Sequence, residues 1–162
     1  MVTSRAVEGT VFRAISSHKE ILWVRASMNI AALQNFLESL DKLRTGLHSP
    51  NAIVDGDTAQ FCFWVLPDQA AEISELVKKA KLENCLIERA ALVAASGSGI
   101  ADSAEAIATV SKILGGAKIP FMHIGTTNRS VYAIVSQSDC DSAAKQMHLK
   151  LIEMPQKKGR DK

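Results

Sequence analysis

Residues 88–100 read ERAALVAASGSGI. The first eight (ERAALVAA) have the apolar, extended character of a strand, and Ser96, Gly97, Ser98 and Gly99 follow as a corner of small residues. From Ile100 the period changes: Ile100, Ala104, Ile107, Ser111 and Leu114 share one helical face, and the Gly115-Gly116 pair stands where that helix should stop. A strand, a tight corner and an amphipathic helix in this order begin a folding unit.

The same order occurs upstream. Residues 7–16 (VEGTVFRAIS) and 20–25 (EILWVR) read as two strands joined by a polar turn at 16–19. After Asn29, the residues Ile30, Leu33, Phe36, Leu37, Leu40 and Leu43 recur at three and four, predicting a helix that Gly46 ends before Pro50. A short strand at 52–54 and a turn at 54–57 lead to strand 60–66 (QFCFWVL), closed by Pro67. Asp68 is placed to cap a second helix with Ile73, Leu76, Val77 and Ala80 on one face.

Downstream, strands 121–125 (FMHIG) and 131–135 (VYAIV) flank Thr126, Thr127, Asn128 and Arg129. A last helix starts near Asp139 and carries Ala143, Ala144 and Met147, and residues 149–152 read as a closing strand. The repeat distance is about 70 residues, and the pattern is that of the split βαβ unit. The expected fold is therefore α+β: two ferredoxin-like (βαββαβ) domains, at 7–84 and 85–152, with antiparallel sheets and helices on one face. Residues 153–162 form a basic tail that is expected to be disordered.

Composition excludes several classes. With 162 residues, 47% hydrophobic, and Lys+Arg 19 against Asp+Glu 17, the chain has a core and a net charge of only +2. No apolar run approaches the roughly 18 residues of a membrane span, and the first residues (MVTSR) carry no secretory signal; a cytoplasmic protein is expected. Cys62, Cys85 and Cys140 are odd in number and widely spaced, so they are expected to be reduced, at least two of them buried. His18, His48, His123 and His148 lack metal-ligand spacing, so neither metal nor cofactor is expected. Gly97 and Gly99 could begin a phosphate cradle, but position 102 is Asp and the full glycine spacing fails. With 5% aromatics and no stacking signature, nucleic acid is not an expected partner, and Trp23 and Trp64 read as core or dimer-face residues.

The opening VEGTVF (7–12), the apolar Ile21 to Val24, the segment KIPFMHIGTTN (118–128) and the run VSQSDCDSAAKQMH (135–148) stand in an order and spacing that resemble the C-terminal regulatory region of aspartate kinases, a tandem pair of ACT domains. The resemblance implies regulation of aspartate-family amino-acid biosynthesis, including lysine biosynthesis. The family's kinase chemistry lies in a separate catalytic domain, for which this chain has no room, so no catalytic residue is expected. Met1 suits a free-standing regulatory subunit, and a fragment of a longer kinase would look the same. In the family, domains can also be nested, so that either residues 149–152 or 7–15 complete a sheet elsewhere.

An ACT domain holds a free amino acid where its first strand runs into its first helix, since bare amides and the helix dipole suit a carboxylate there. The resemblance places such corners at Ser27, Met28, Asn29, Ile30 and Ala31, and at Ser96, Gly97, Ser98, Gly99 and Ile100, with Thr126, Thr127 and Asn128 beside the second. Where the family has an acidic residue and a Pro-Gly pair, this chain has Ser27, Met28 and Asn29. Lysine or threonine is the expected effector, a homodimer the expected assembly and an aspartate kinase catalytic chain the expected partner. The alternatives are a dimerisation scaffold without ligand and a sheet that binds nucleic acid.

Overall fold

The computed structural model describes residues 10–43, 46–82, 84–101 and 103–154. Residues 7–9 of the expected first strand and 155–162 of the basic tail lie outside the described residues. The chain divides into two compact units, Glu20–Ala90, and a second that joins the residues up to Lys19 with those from Ala91 onward.

The first strand, β1 (Val11–Asn29), is 19 residues long and belongs to both units. The polar stretch 16–19, expected to turn, is extended instead. It has no glycine or proline to reverse the chain, and it is where β1 leaves one unit for the other.

Within Glu20–Ala90, β1 leads into α1 (Ile30–Leu43), β2 (His48–Asp55), β3 (Thr58–Val65), α2 (Ala70–Lys79) and the start of β4 (Asn84–Ser98). The strand order is β2-β3-β1-β4, and β3 pairs antiparallel with both β1 and β2. That is the ferredoxin-like arrangement. Leu33, Phe36 and Leu40 put α1 on a sheet face built of Leu22, Val24, Ala26, Met28, Ala59, Phe61, Phe63 and Val65. Phe36 is fully buried, with its ring edge-on to Phe61 at 6.4 Å. Asp68 does not cap α2; Pro67–Gln69 forms a turn of 3-10 helix, and the Gln69 side chain accepts from Leu66 N–H.

In the second unit, the rest of β4 is followed by α3 (Ala104–Gly116), β5 (Phe121–Thr126), β6 (Ser130–Val135) and α4 (Cys140–His148), with strand order β1-β4-β6-β5. Its fourth strand is thus the N-terminal part of β1. The expected strand at 149–152 is instead a π-helical turn, Leu149–Glu153. Cys140, Ala143, Met147 and Leu151, spaced three and four apart, continue one buried helical stripe, which a strand would break. The units are therefore not the contiguous 7–84 and 85–152 blocks: Glu20–Ala90 is inserted into the other, and the 84/85 boundary would cut β4 at its first residue.

The buried stripe of α3 is Ala106, Val110 and Leu114, rotated from the expected face, because the helix begins only at Ala104, with Ser103 as its cap. It ends at Gly116, within the glycine pair expected to stop it. Lys118 adopts φ +57°, and the bonds Lys118 N–H to Gly115 O (3.0 Å) and Ile119 N–H to Leu114 O (2.9 Å) close the last turn. Trp23 and Trp64 are buried. Of the cysteines only Cys140 is buried, while Cys62 and Cys85 are half-buried; all three are free thiols.

Candidate functional site

The two strand-to-helix corners differ in what their own atoms already satisfy. In the Glu20–Ala90 unit there is no loop: β1 runs to Asn29 and α1 begins at Ile30. Ser27 and Met28 lie in the strand, opposite Gln60 and Ala59, and the Met28 side chain is buried in the core. Asn29 Oδ1 accepts from Ala32 N–H at 2.8 Å, and Ile30 N–H donates to Asp57 O at 3.1 Å. Two of the first three amides of α1 are therefore committed before any guest arrives. Ala31 is exposed and Ile30 half-buried. Nearby, Arg25 and Glu88 form an ion pair at 2.8 Å.

The corner of the other unit is longer and gathers more of the expected residues. Ser96 pairs with Ser130 across β4 and β6, and Gly97 N–H donates to Arg129 O at 2.9 Å, so the 126–130 hairpin lies beside the corner. Ser98 and Gly99 are exposed, and Gly99 takes φ +70°. Ile100 is 1% exposed, and its side chain anchors the corner in the core.

A chain of hydroxyl groups braces this corner. Ala106 N–H donates to Ser103 Oγ (3.2 Å), the oxygens of Ser103 and Thr10 lie 2.9 Å apart, and Thr10 Oγ1 donates to Gly99 O (3.1 Å). Since each hydroxyl has one proton, Ser103 must be the donor to Thr10. Both protons are then committed, and each oxygen keeps one lone pair. Those oxygens can serve a guest's ammonium but not its carboxylate. Thr127 is similarly occupied: its Oγ1 accepts from Ser130 N–H (3.1 Å) and lies 2.7 Å from Ser130 Oγ, closing the hairpin. Thr126 and Ser96 are half-buried, and Asn128 is exposed.

Thr10 and Ser103, which the sequence reading did not single out, hold the corner together. Ser103 is legible as a helix cap. Thr10 is not, because its partners are 89 and 93 residues away.

Larger grooves run along the helix layers. One of about 530 Å³ lies between α1 and α2, lined by Asn35, Ser39, Lys42, Glu72, Glu75 and Lys79. Another of about 1050 Å³ is lined by Glu105, Lys112, Ser142, Gln146, Lys150 and Met154. Among the described residues no cluster of three metal-ligating side chains occurs, and no helix is long and apolar enough to cross a membrane. Burial raises the thiol pKa of Cys140, Cys62 and Cys85 and lowers that of His123, whose Nε2 lies 3.4 Å from Tyr132 Oη.

Comparison with solved structures gives the architecture a counterpart. The regulatory subunit of aspartate kinase from Thermus flavus superposes with a TM-score of 0.74 at 16% identity, over 85% of this chain and 97% of that one. The fold is that of an aspartate kinase regulatory subunit. The ligand-free Thermus thermophilus regulatory subunit matches with a TM-score of 0.72 at 15% identity, over 85% and 97% of the two chains. Escherichia coli aspartokinase III in complex with lysine and aspartate matches with a TM-score of 0.63 at 15% identity, over 90% of this chain and 34% of the longer enzyme. No protein-family model matches the sequence, and no curated protein matches it.

Proposed function

We propose that this chain is a non-catalytic regulatory module that binds a free amino acid, lysine or threonine, and passes its occupancy to an aspartate kinase catalytic chain. The observation that carries the reading is the near-complete coverage of regulatory-only subunits, 97% of the Thermus flavus chain. One structural relative, aspartokinase III, was captured with lysine and aspartate. The module works as a homodimer in the cytoplasm, within aspartate-family amino-acid biosynthesis.

The effector sits at the corner formed by Ser96, Gly97, Ser98 and Gly99 with Thr126 and Asn128, where Thr10 and Ser103 keep acceptor capacity for its ammonium. The Ser27 to Ala31 corner is the weaker candidate, because Asn29 and Asp57 already occupy its amides. That self-capping favours a second reading, a dimerisation scaffold that binds no effector.

Thermal unfolding of the full chain against a panel of free amino acids separates the two. A ligand at a hundredfold excess over its Kd adds about 2.7 kcal/mol to stability. A rise in Tm with lysine or threonine that Asn128→Lys reduces, measured from that variant's own baseline, supports the sensor. A flat panel at millimolar ligand with an intact dimer supports the scaffold, and retention on single-stranded RNA that falls steeply with salt would overturn both.

A further inference from the structure

We infer that the groove between α3 and α4 binds an organic anion with an apolar body, a carboxylate or phosphate borne on an aliphatic chain or ring. The groove lies wholly within the second unit, and of the residues that brace the effector corner only Thr10 lines it.

The two units repeat one order of helices and strands, yet their helix grooves differ. The groove between α3 and α4 has a volume of about 1050 Å³, about twice the 530 Å³ of the groove between α1 and α2. Its floor is apolar. Phe12, Ile113, Ala117 and Ile152 pack on the core of the unit and stay half-buried, so each keeps surface open to the groove. Val11 and Met154 also line it, and they are 51% and 57% exposed. Single exposed apolar residues are ordinary on a protein surface. Two of them beside an apolar floor form a patch that a ligand can cover.

The walls set the sign of the charge. Lys112 stands on α3 and Lys150 on the turn that continues α4, both exposed, and among the described residues neither forms an ion pair. Glu105, the one acidic side chain lining the groove, already has an interaction of its own. Glu153, next in the chain to the lining residues, lies against His148 instead, with Oε1 3.1 Å from Nδ1. The groove of the other unit is balanced: Lys42 and Lys79 face Glu72 and Glu75, and Glu75 pairs with Lys79 at 2.7 Å. Two uncompensated ammonium groups over an apolar floor give the larger groove a positive potential, which draws an anion whose remaining bulk is apolar.

Size and charge together separate this ligand from the effector of the corner. From Glu105 to Gly116, α3 rises about 16 Å along the groove. A Cβ placed on Gly116 would meet nothing within 4 Å, so the groove is open there. A free amino acid would leave most of that volume unfilled and would bring its ammonium toward two lysines. An elongated anion covers the floor with its body and places its head between Lys112 and Lys150, with Thr109 and Gln146 on the same walls to complete its hydrogen bonds.

The experiment is isothermal titration of the full chain with decanoate, decyl phosphate and decyltrimethylammonium, each below its micelle concentration. One or both anions should saturate a single site, at least about tenfold more tightly than the cation, and the tighter of the two names the head group. Lys112→Glu combined with Lys150→Glu should weaken anion binding at least about tenfold. Gly116→Leu, which fills the open end with no atom in its way, should do the same while melting cooperatively. Lys42→Glu, in the other groove, should bind as the parent does. Decanoate with a diazirine at its chain end should, on irradiation, label peptides that contain Ile113 or Met154. No saturable anion binding at millimolar concentration, equal affinity for the cation, parent-like affinity in either folded groove variant, or label confined to other peptides would overturn the site. None of these outcomes touches the amino-acid panel, which reports on the corner.

Discussion

Gly97 and Val11, 86 positions apart in sequence, are in backbone contact: a Cβ placed on Gly97 would run into the Val11 carbonyl oxygen, with Phe12 Cα 2.9 Å away. The glycine that suggested a phosphate cradle is needed because the backbone of β1, its neighbour in the sheet, comes too close at Val11 and Phe12 to leave room for a Cβ. Gly97→Ala must displace main chain, not a flexible side chain, and should destabilise the fold by about 3 kcal/mol or more. Gly116→Ala, where nothing lies within 4 Å of the new methyl group, should gain about 0.5–1 kcal/mol. Urea denaturation of both variants checks the contrast.

Lys118 at φ +57° and Lys81 at φ +50° end their helices in a conformation that suits glycine. Lys118 is exposed, and Lys118→Gly keeps the backbone bonds of the turn, so stability should rise by up to about 1 kcal/mol, read as an increase in Tm.

The caps divide by how many partners they hold. Asn29→Ala loses one bond to Ala32 N–H and should destabilise by about 1 kcal/mol. Ser103→Ala loses its bond to Ala106 N–H and also the bond to Thr10, which keeps only its contact with Gly99 O, so its loss should be the larger, near 2 kcal/mol, in the same denaturation experiment.

His123 is half-buried, and burial depresses its pKa below the ordinary 6.5. The unfolded chain then binds a proton more readily than the folded one. Its contribution to stability is complete above pH 6.5 and declines as pH falls from there toward the folded-state pKa. His123→Asn should flatten the slope of stability against pH below 6.5; an unchanged slope would assign it to other groups.

Burial also raises the pKa of all three thiols, Cys140 being the most enclosed. Alkylation at pH 8 should therefore be slow in the native protein, on the order of tenfold slower at Cys140 than in denaturant. Peptide mapping after timed quenching orders the three.

The element types were legible because each carries its own period. Leu33, Phe36 and Leu40 mark a helix, and QFCFWVL a buried strand, whatever surrounds them. The duplicated order was legible for the same reason, and so were both corners as places. Their state was not: nothing local to Met28 says that its side chain is core, and nothing local to Gly99 says that Thr10 reaches its carbonyl. Residues 149–152 misled because Leu149 and Leu151 fit a strand when read alone. Only the stripe from Cys140 through Leu151 packed in place makes them helical.

The sequence by itself determined two α+β units that share the order strand, helix, strand, strand, helix, since burying apolar side chains at a period of 2 or near 3.6 admits few alternatives. The tertiary structure decided which strand closes each unit, because strand pairing depends on backbone groups that any residue except proline supplies. It set β1 across both units, placed Glu20–Ala90 inside the other, and fixed which corner amides already have partners. Those choices are made by contacts across more than 80 residues, such as Thr10 with Ser103 and Gly97 with Val11, which no local pattern encodes.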